Sequence, residues 1–201
     1  MARHQQSTTH PSAKSPWVIS TRELGRRPGN MRTYQRTVHA PAGLGLEVIG
    51  IPEGEPIELD LRLESASEGV FVSGTAHADV EGECARCLEP LSDEVTVALG
   101  ELFAYPDSAT EATTDVDEVS RVVDDLIDTE AMVRDAVLLA LPLAPLCTED
   151  CRGLCPDCGG RWADLAAEHG HETLDPRWAA LQGRPTSAAD SGAPTGAEER
   201  R

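Results

Sequence analysis

Alternating apolar and charged residues predict that the first half of the chain is rich in β-strands. Residues 57–64 (IELDLRLE) place every second side chain on one face, which is the period of a half-buried strand. Residues 70–80 and 95–103 are two further strand candidates, separated by turn residues. The pattern predicts antiparallel strands over a β-rich half of about residues 55–104.

The second half predicts one main helix, over about residues 129–141. Asp128 and Thr129 can cap its start, and Glu130 lies in the first turn, where the helix dipole favours an acid. Pro142 follows the last helical residue and prevents the helix from continuing. Five residues are expected to line its apolar face: Met132, Val133, Ala136, Val137 and Ala140.

The length of 201 residues favours one compact domain, which we place at residues 17–183. Polar composition predicts disordered tails at residues 1–16 and 184–201. Between the strands and the helix, residues 105–118 form an acidic stretch without alternation. We expect it to be a mobile loop.

Composition restricts both the core and the location of the protein. Hydrophobic residues make up 40% of the chain but aromatic residues only 3%, so the core must be aliphatic and would benefit from a crosslink. No apolar run is long enough to span a bilayer, and the first residues lack the apolar region of a secretory signal. These features predict a cytoplasmic protein with reduced thiols and no membrane partner.

Charge is distributed unevenly along the chain. Residues 1–40 carry seven basic residues and one acid, a net +6, so the total of −18 leaves −24 for the remainder. This predicts a basic arm at about residues 17–40, joined to an acidic body, where a polyanion can bind; a solvated tail is the alternative. The candidate RNA-binding residues are Arg22, Arg26, Arg27, Arg32 and Arg36.

The six cysteines form two motifs. One Cys-x-x-Cys pair, Cys84 and Cys87, lies where a hairpin between two predicted strands would turn, and the other four fall within residues 147–160. This spacing lets two thiolates reach one ion from a tight turn, and four such ligands are typical of structural zinc. Two sets of four remain open: Cys84, Cys87, Cys155 and Cys158, or alternatively Cys147, Cys151, Cys155 and Cys158.

Other interpretations of these residues are a redox pair, a sensor that loses zinc on oxidation, and buried thiols without metal. His169 and His171 follow the cluster and could supply a ligand, although solvated surface histidines are common. The strands and the helix together predict an α+β fold. It comprises a β-rich body of antiparallel strands, one main helix, a zinc-stapled C-terminal segment and disordered termini.

Known catalytic motifs are absent from the sequence. It contains no nucleophile elbow, no phosphate-binding glycine loop and no metalloprotease helix. The adjacent carboxylates Asp124 and Asp125 are more typical of a solvated acidic face than of acid–base catalysis. We therefore expect neither enzymatic activity nor a small-molecule substrate.

Two motifs carry a resemblance to a known family. Residues 83–90 (ECARCLEP) and the run LPLAPL that enters CTEDCRGLCPDCGG resemble the YceD-like family, the large ribosomal RNA subunit accumulation proteins. The opening TRELGRRPG resembles members from high-GC Gram-positive bacteria, here with an extra cysteine cluster. The resemblance implies a role in accumulation or processing of 23S ribosomal RNA, and hence in large-subunit assembly, without an established enzymatic activity.

Two functions follow as expectations. The first is a non-enzymatic ribosome-biogenesis factor whose partner is ribosomal RNA or a large-subunit assembly intermediate. Since the acidic body repels RNA, a basic ribosomal protein is a further candidate partner. The alternative is a zinc- or redox-responsive regulatory protein linked to ribosome production.

Overall fold

The computed structural model describes residues 11–106, 108–114, 119–171 and 177. The described elements are, in chain order, β1 (Val18–Ser20), β2 (Met31–His39), β3 (Leu44–Gly45), β4 (Ile49–Ile51), β5 (Pro56–Ser65), β6 (Gly69–Glu83), β7 (Pro90–Ala104), α1 (Ala109–Thr113), β8 (Leu126–Asp128) and α2 (Glu130–Ala140). Antiparallel strands dominate and α2 is the longer helix, which confirms the predicted fold class. None of the helices in this part of the chain has the length and apolar character needed to cross a membrane.

Strand β6 is the centre of the larger sheet. It pairs with β5 along one edge and with β7 along the other, and β2 continues the sheet beyond β5. The short strands β4 and β3 extend it past the end of β5. All three strands predicted from alternation are present, and Cys84 and Cys87 lie in the turn between β6 and β7, as expected. Gly74 permits the close approach of β5, because a Cβ there would lie 2.0 Å from the carbonyl oxygen of Asp60.

The aliphatic core lies between one face of this sheet and α2. Every second residue of β5 is buried, as the alternation predicts. Helix α2 contacts β7 and buries Met132, Val133 and Val137, with Ala136 partly buried against the same cluster. The prediction for Ala140 is wrong, since it is exposed. The helix ends there, and Leu141 turns into an extended conformation and is buried instead.

Of the two residues expected to cap the start of α2, only Asp128 makes a side-chain capping bond. A side-chain oxygen of Asp128 accepts a hydrogen bond from the backbone N–H of Glu130 at 3.0 Å. Thr129 makes no side-chain cap; it is fully buried, and its hydroxyl donates to the carbonyl oxygen of Trp17 at 2.8 Å. Thr129 therefore attaches the helix to the segment that leads into β1.

Residues 17–40 are integrated into the fold and do not project from it as a separate arm. Strand β1 pairs with β8 in a second, two-stranded sheet, and β2 pairs with β5 over nine positions. Trp17 and Ile19 belong to the core. The predicted arm differs from the structure because both of its strands find partners elsewhere in the chain, β1 in the distant β8 and β2 in β5, which local charge does not indicate.

The predicted tails and acidic loop are described only in part. Residues 1–10 and 184–201 lie outside the described residues, whereas residues 11–16 include turns, with the N–H of Ser15 donating to the carbonyl of Ser12 at 2.8 Å. Within the acidic stretch, residues 109–113 form the helix α1, which the sequence did not predict, and residues 107 and 115–118 lie outside the described residues. The hydroxyl of Ser108 caps this helix by accepting from the N–H of Glu111 at 3.2 Å.

Candidate metal centres

Four cysteines form the first centre: Cys84, Cys87, Cys147 and Cys151. Their sulfur atoms all lie within 4.8 Å of one another, and Cys84 and Cys87 are buried. The first two come from the β6–β7 turn, and the other two come from the segment that follows α2. The centre therefore joins the hairpin of the sheet to the chain beyond the helix.

The sulfur–sulfur distances fit a tetrahedral metal site. A zinc–sulfur bond of about 2.3 Å implies about 3.8 Å between two sulfurs of a tetrahedron. The Sγ atoms of Cys84 and Cys151 are 3.7 Å apart, and those of Cys87 and Cys147 are 3.6 Å apart. A disulfide bond would require about 2.0 Å, and all six cysteines are free.

Backbone contacts fix this centre from both sides. Within the turn, the N–H of Leu88 donates to the carbonyl oxygen of Cys84 at 2.9 Å, and Leu88 adopts a left-handed conformation with φ 59°. Across the centre, the N–H of Ala85 donates to the carbonyl of Pro145 at 2.8 Å. The guanidinium of Arg86 donates to the carbonyl of Cys151 at 2.8 Å. These bonds hold the two segments together at the spacing that the four sulfurs require.

The surroundings of the first centre favour the thiolate form of Cys84. Backbone N–H groups, first that of Cys147 and then those of Cys87 and Arg86, outweigh burial and lower the pKa of Cys84 to about 6. Burial, followed by the neighbouring sulfurs, raises the pKa of Cys87 to about 12. A bound cation would supply the charge that stabilises the remaining thiolates.

A second centre combines Cys155 and Cys158 with His169 and His171. Their ligand atoms also lie within 4.8 Å of one another. The Sγ of Cys158 is 3.6 Å from Nε2 of His169, and the Nε2 atoms of the two histidines are 2.9 Å apart. A tetrahedral zinc with two sulfurs and two nitrogens implies about 3.6 Å and about 3.3 Å for these edges. The sulfur–nitrogen edge matches, whereas the two histidine nitrogens would have to move apart by about 0.4 Å to hold zinc. Cys155 is the buried member of this group of four ligands.

The turn at the second centre repeats that of the first. The N–H of Gly159 donates to the carbonyl oxygen of Cys155 at 2.8 Å, and Gly159 has φ 70°. Backbone N–H groups, first that of Cys158, lower the pKa of Cys155. The ring of Trp162 meets that of His169 edge-on at 5.5 Å between centroids, which restricts the orientation of the imidazole.

The two centres are held in one unit beside the β6–β7 turn. Gly153, between them in the chain, packs against the backbone of Arg86 and accepts a hydrogen bond from the N–H of Trp162 at 3.0 Å. Arg161 forms an ion pair with Glu89 on the hairpin turn. Residues 147–171 are therefore attached to the sheet at several points besides the sulfurs.

Neither predicted set of four cysteines is brought together. The structure groups Cys84 and Cys87 with Cys147 and Cys151, which follow a helix that packs on β7 and so return to the hairpin turn. Cys155 and Cys158 lie beyond them, with His169 and His171 as partners. One feature of the sequence could have predicted the second centre. Cys155, Cys158 and the two histidines of the His-x-His motif already make four ligands, without any from the hairpin.

The five candidate arginines do not share one environment. Arg22 and Arg26 lie 3.8 and 3.5 Å from carboxylate oxygens of Asp125, and Arg32 lies 3.1 Å from Glu23, all on the surface. Arg27 is exposed in the same connection between β1 and β2.

Arg36 differs from the other four, because its guanidinium donates to the carbonyl oxygens of Pro16 and Val18 at 2.7 and 3.0 Å. It holds β1 against β2, so its guanidinium is engaged in hydrogen bonds within the fold. The exposed basic surface consists of Arg22, Arg26, Arg27 and Arg32.

Comparison with known proteins gives the family. The profile of the family described as "Large ribosomal RNA subunit accumulation protein YceD" matches residues 72–183, a range that contains both centres. The chain belongs to the YceD family. This confirms the resemblance carried by the cysteine motifs, whereas the candidate arginines lie outside the matched YceD range.

The chain is also similar to individual bacterial proteins, and to the mycobacterial ones over most of its length. "Uncharacterized protein Rv2926c" of Mycobacterium tuberculosis is 55% identical over 183 residues, which are 90% of this chain and 87% of the relative. "Uncharacterized protein ML1660" of Mycobacterium leprae is 48% identical over 90% of this chain and 83% of its own. "Uncharacterized protein YlbN" of Bacillus subtilis is 28% identical over 63% of this chain and 73% of its own. No solved structure matches the chain.

Proposed function

We propose that this protein is a non-enzymatic factor that supports the accumulation and processing of 23S ribosomal RNA and the assembly of the large ribosomal subunit. The observation that carries the proposal is the family match over residues 72–183, whose description names large ribosomal RNA subunit accumulation. The matched range contains most of β6, all of β7 and α2, and both metal centres, whereas β1 to β5 precede it.

The composition of the centres supports a structural role for zinc. Each offers four ligands, which complete a tetrahedron, whereas catalytic zinc keeps one position open for water or substrate. Cysteine and histidine are the ligands that structural zinc prefers. The first centre closes a long loop between Cys87 and Cys147, where a crosslink restricts the unfolded chain most. Zinc would therefore compensate for the small aromatic content of the core.

The charge distribution supports a protein that contacts two kinds of partner. The four exposed arginines in the β1–β2 connection and at the start of β2 offer contacts to ribosomal RNA phosphates, which bind guanidinium groups strongly. Residues 41–201 carry a net charge of −24, which suits binding to a basic protein of the assembling subunit. A bridging factor of this kind requires no catalytic group.

Depletion in the organism that encodes the protein tests the proposal. The abundance of 23S ribosomal RNA should fall relative to 16S, with loss of mature large subunits, and the wild-type gene should restore both. A variant with Cys84→Ser and Cys87→Ser should restore less, because the hairpin loses its attachment to residues 147–171. An unchanged ratio of 23S to 16S after full depletion would contradict the proposed function.

The exposure of Cys147 and Cys158, one in each centre, favours a second candidate function, a zinc- or redox-responsive regulator. Alkylation of the zinc-loaded protein, followed by mass spectrometry, separates the two functions. Protection of all six thiols supports structural centres, whereas rapid labelling of Cys147 with release of metal supports a switch.

A further inference from the structure

Residues 96–100 on the outer edge of β7 have no strand partner among the residues that the structure describes. Within the described part of the chain, β7 pairs with β6 and otherwise only through Ala104, which bridges to Arg121. The N–H of Ala104 donates to Ser120 and its carbonyl oxygen accepts from Val122, so Ala104 directs its polar groups away from β6. In an antiparallel ladder this direction alternates, so Thr96, Ala98 and Gly100 also direct their N–H and C=O groups outward.

This edge lacks the features that usually prevent unwanted pairing. Edge strands are commonly protected by lysine, proline or a β-bulge. Residues 95–100 (VTVALG) contain neither proline nor a charged side chain, and the register with β6 is continuous over the whole strand, without a bulge. Thr96, Ala98 and Gly100 are small and exposed. An extended peptide can therefore approach the backbone of β7.

A groove of about 510 Å³ runs between this edge and α2. Met132, Ala136 and Leu139 line its helical side, and Leu139 is 88% exposed despite its apolar side chain. Unpaired backbone groups and an apolar surface thus lie side by side. This combination suits an extended peptide whose alternate side chains point towards the helix.

The charge of the groove indicates the chemistry of its occupant. Glu101 and Asp135 contribute carboxylates, and no lysine or arginine is present among the lining residues. Strand β7 adds Asp93 and Glu94 and also contains no basic residue. Nucleic acid phosphates would be repelled here, and a second copy paired through β7 would bring like charges together.

We propose that the outer edge of β7 binds an extended basic segment of a partner protein by β-strand addition. The segment hydrogen-bonds to Thr96, Ala98 and Gly100, and on the side that faces the helix it places apolar side chains over Met132 and Leu139 and a basic side chain near Asp135. The carboxylate of Glu101, which accepts a hydrogen bond from the hydroxyl of Ser120, adds negative charge at one end. The inference rests on the proposed function in one respect: it assigns this edge to a basic protein component of the assembling large subunit, while RNA contacts remain with the four exposed arginines.

A synthetic peptide with valine and lysine at the positions that face the helix, and serine at the positions between them, tests this inference on the full-length, zinc-loaded protein. Ala98→Pro removes an outward N–H but none that pairs with β6, so it should weaken peptide binding at least tenfold. Ala98→Ser keeps the N–H and is the matched control, with thermal unfolding confirming that both variants are folded. Equal affinity of the two variants for the peptide would overturn the proposal.

Two further measurements do not depend on the folding of the proline variant. Methylation of alternate backbone nitrogens along one side of the peptide should abolish binding, and the same peptide methylated along the other side should bind. Asp135→Lys should weaken binding at low salt more than Glu58→Lys, at an exposed position of β5 outside the groove. Binding that is insensitive to both changes, or an Ala98→Pro effect confined to self-association, contradicts strand addition.

Cellular measurements separate this inference from the proposed function. If depletion lowers 23S ribosomal RNA but Ala98→Pro and Ala98→Ser restore it equally, the proposed function stands and strand addition is wrong. If depletion leaves 23S ribosomal RNA unchanged while the peptide binds as expected, the binding edge stands and its assignment to the large subunit is wrong.

Discussion

Leu88 and Gly159 occupy equivalent positions in two separate turns. Each directly follows the second cysteine of a Cys-x-x-Cys pair, each is left-handed, with φ 59° and 70°, and each donates its N–H to the carbonyl oxygen of the first cysteine. Only glycine adopts this conformation without steric cost. The same turn is therefore built twice, once with a residue suited to it and once against the preference of leucine.

Exchanging the residue type at these two positions should change stability in opposite directions. Leu88→Gly should raise the free energy of unfolding by about 0.5–1 kcal/mol, because relief of the left-handed strain exceeds the added entropy of the unfolded chain. Leu88 is 61% exposed, so little buried surface is lost. Gly159→Ala should lower it by about 1 kcal/mol through the backbone alone, since a Cβ there meets nothing within 4 Å. Denaturant unfolding of the zinc-loaded proteins measures both changes, and a shift of the same sign in both variants would contradict the equivalence of the turns.

The reduced, purified protein should contain two zinc ions per chain, one for each group of four ligands. The variants Cys84→Ser with Cys87→Ser, and Cys147→Ser with Cys151→Ser, should each lose the same ion and retain the other. His169→Ala with His171→Ala should lose the second ion alone.

Elemental analysis gives the stoichiometry, and cobalt substitution distinguishes four sulfurs from two sulfurs and two nitrogens by the position of its visible absorption. If the two histidine substitutions leave the metal content unchanged, the second centre is wrong. A metal-free wild-type protein would refute both centres.

Gly153 should be much less tolerant of substitution than another left-handed glycine. A Cβ at Gly153, with φ 76°, would lie 2.9 Å from the carbonyl oxygen of Arg86, whereas one at Gly54, with φ 86°, meets nothing within 4 Å. Gly54→Ala should therefore cost only backbone strain, about 1–2 kcal/mol. Gly153→Ala should cost more and should increase hydrogen exchange at Ala85, whose N–H joins the hairpin to Pro145. Equal costs would show that the contact with Arg86 has no energetic effect.

The exposed arginines should contribute a salt-dependent part of RNA binding. Replacing Arg22, Arg26, Arg27 and Arg32 by glutamine should weaken binding to fragments of 23S ribosomal RNA. The slope of log affinity against log salt should fall by about one for each arginine that contacts a phosphate. Arg62→Gln is the control, because Arg62 pairs with Glu64 elsewhere on the sheet. Filter binding at several salt concentrations measures the slope; an unchanged slope in the fourfold variant would exclude this surface.

The local periodicity of apolar residues was sufficient to predict the long strand β5 and the main helix α2. The alternation in residues 57–64 and the helical spacing after Thr129 each record burial on one face, so β5 and α2 could be predicted from the sequence. The position of Cys84 and Cys87 in a hairpin turn followed from the strands on either side. Likewise, the Cys-x-x-Cys spacing indicated metal turns, because that property is contained within a few neighbouring residues.

Tertiary structure decided which of these local features meet. The sequence by itself determined β5, β6, β7, α2 and two Cys-x-x-Cys turns suited to metal; only the fold assigned Cys147 and Cys151 to the hairpin and left Cys155 with histidines. It also paired Val18 with Asp128, which took the basic segment into a sheet, and left residues 96–100 on the outer edge of β7 without a strand partner among the described residues. These pairings depend on the packing of α2 against β7 and on contacts distant in sequence, for which no local pattern exists.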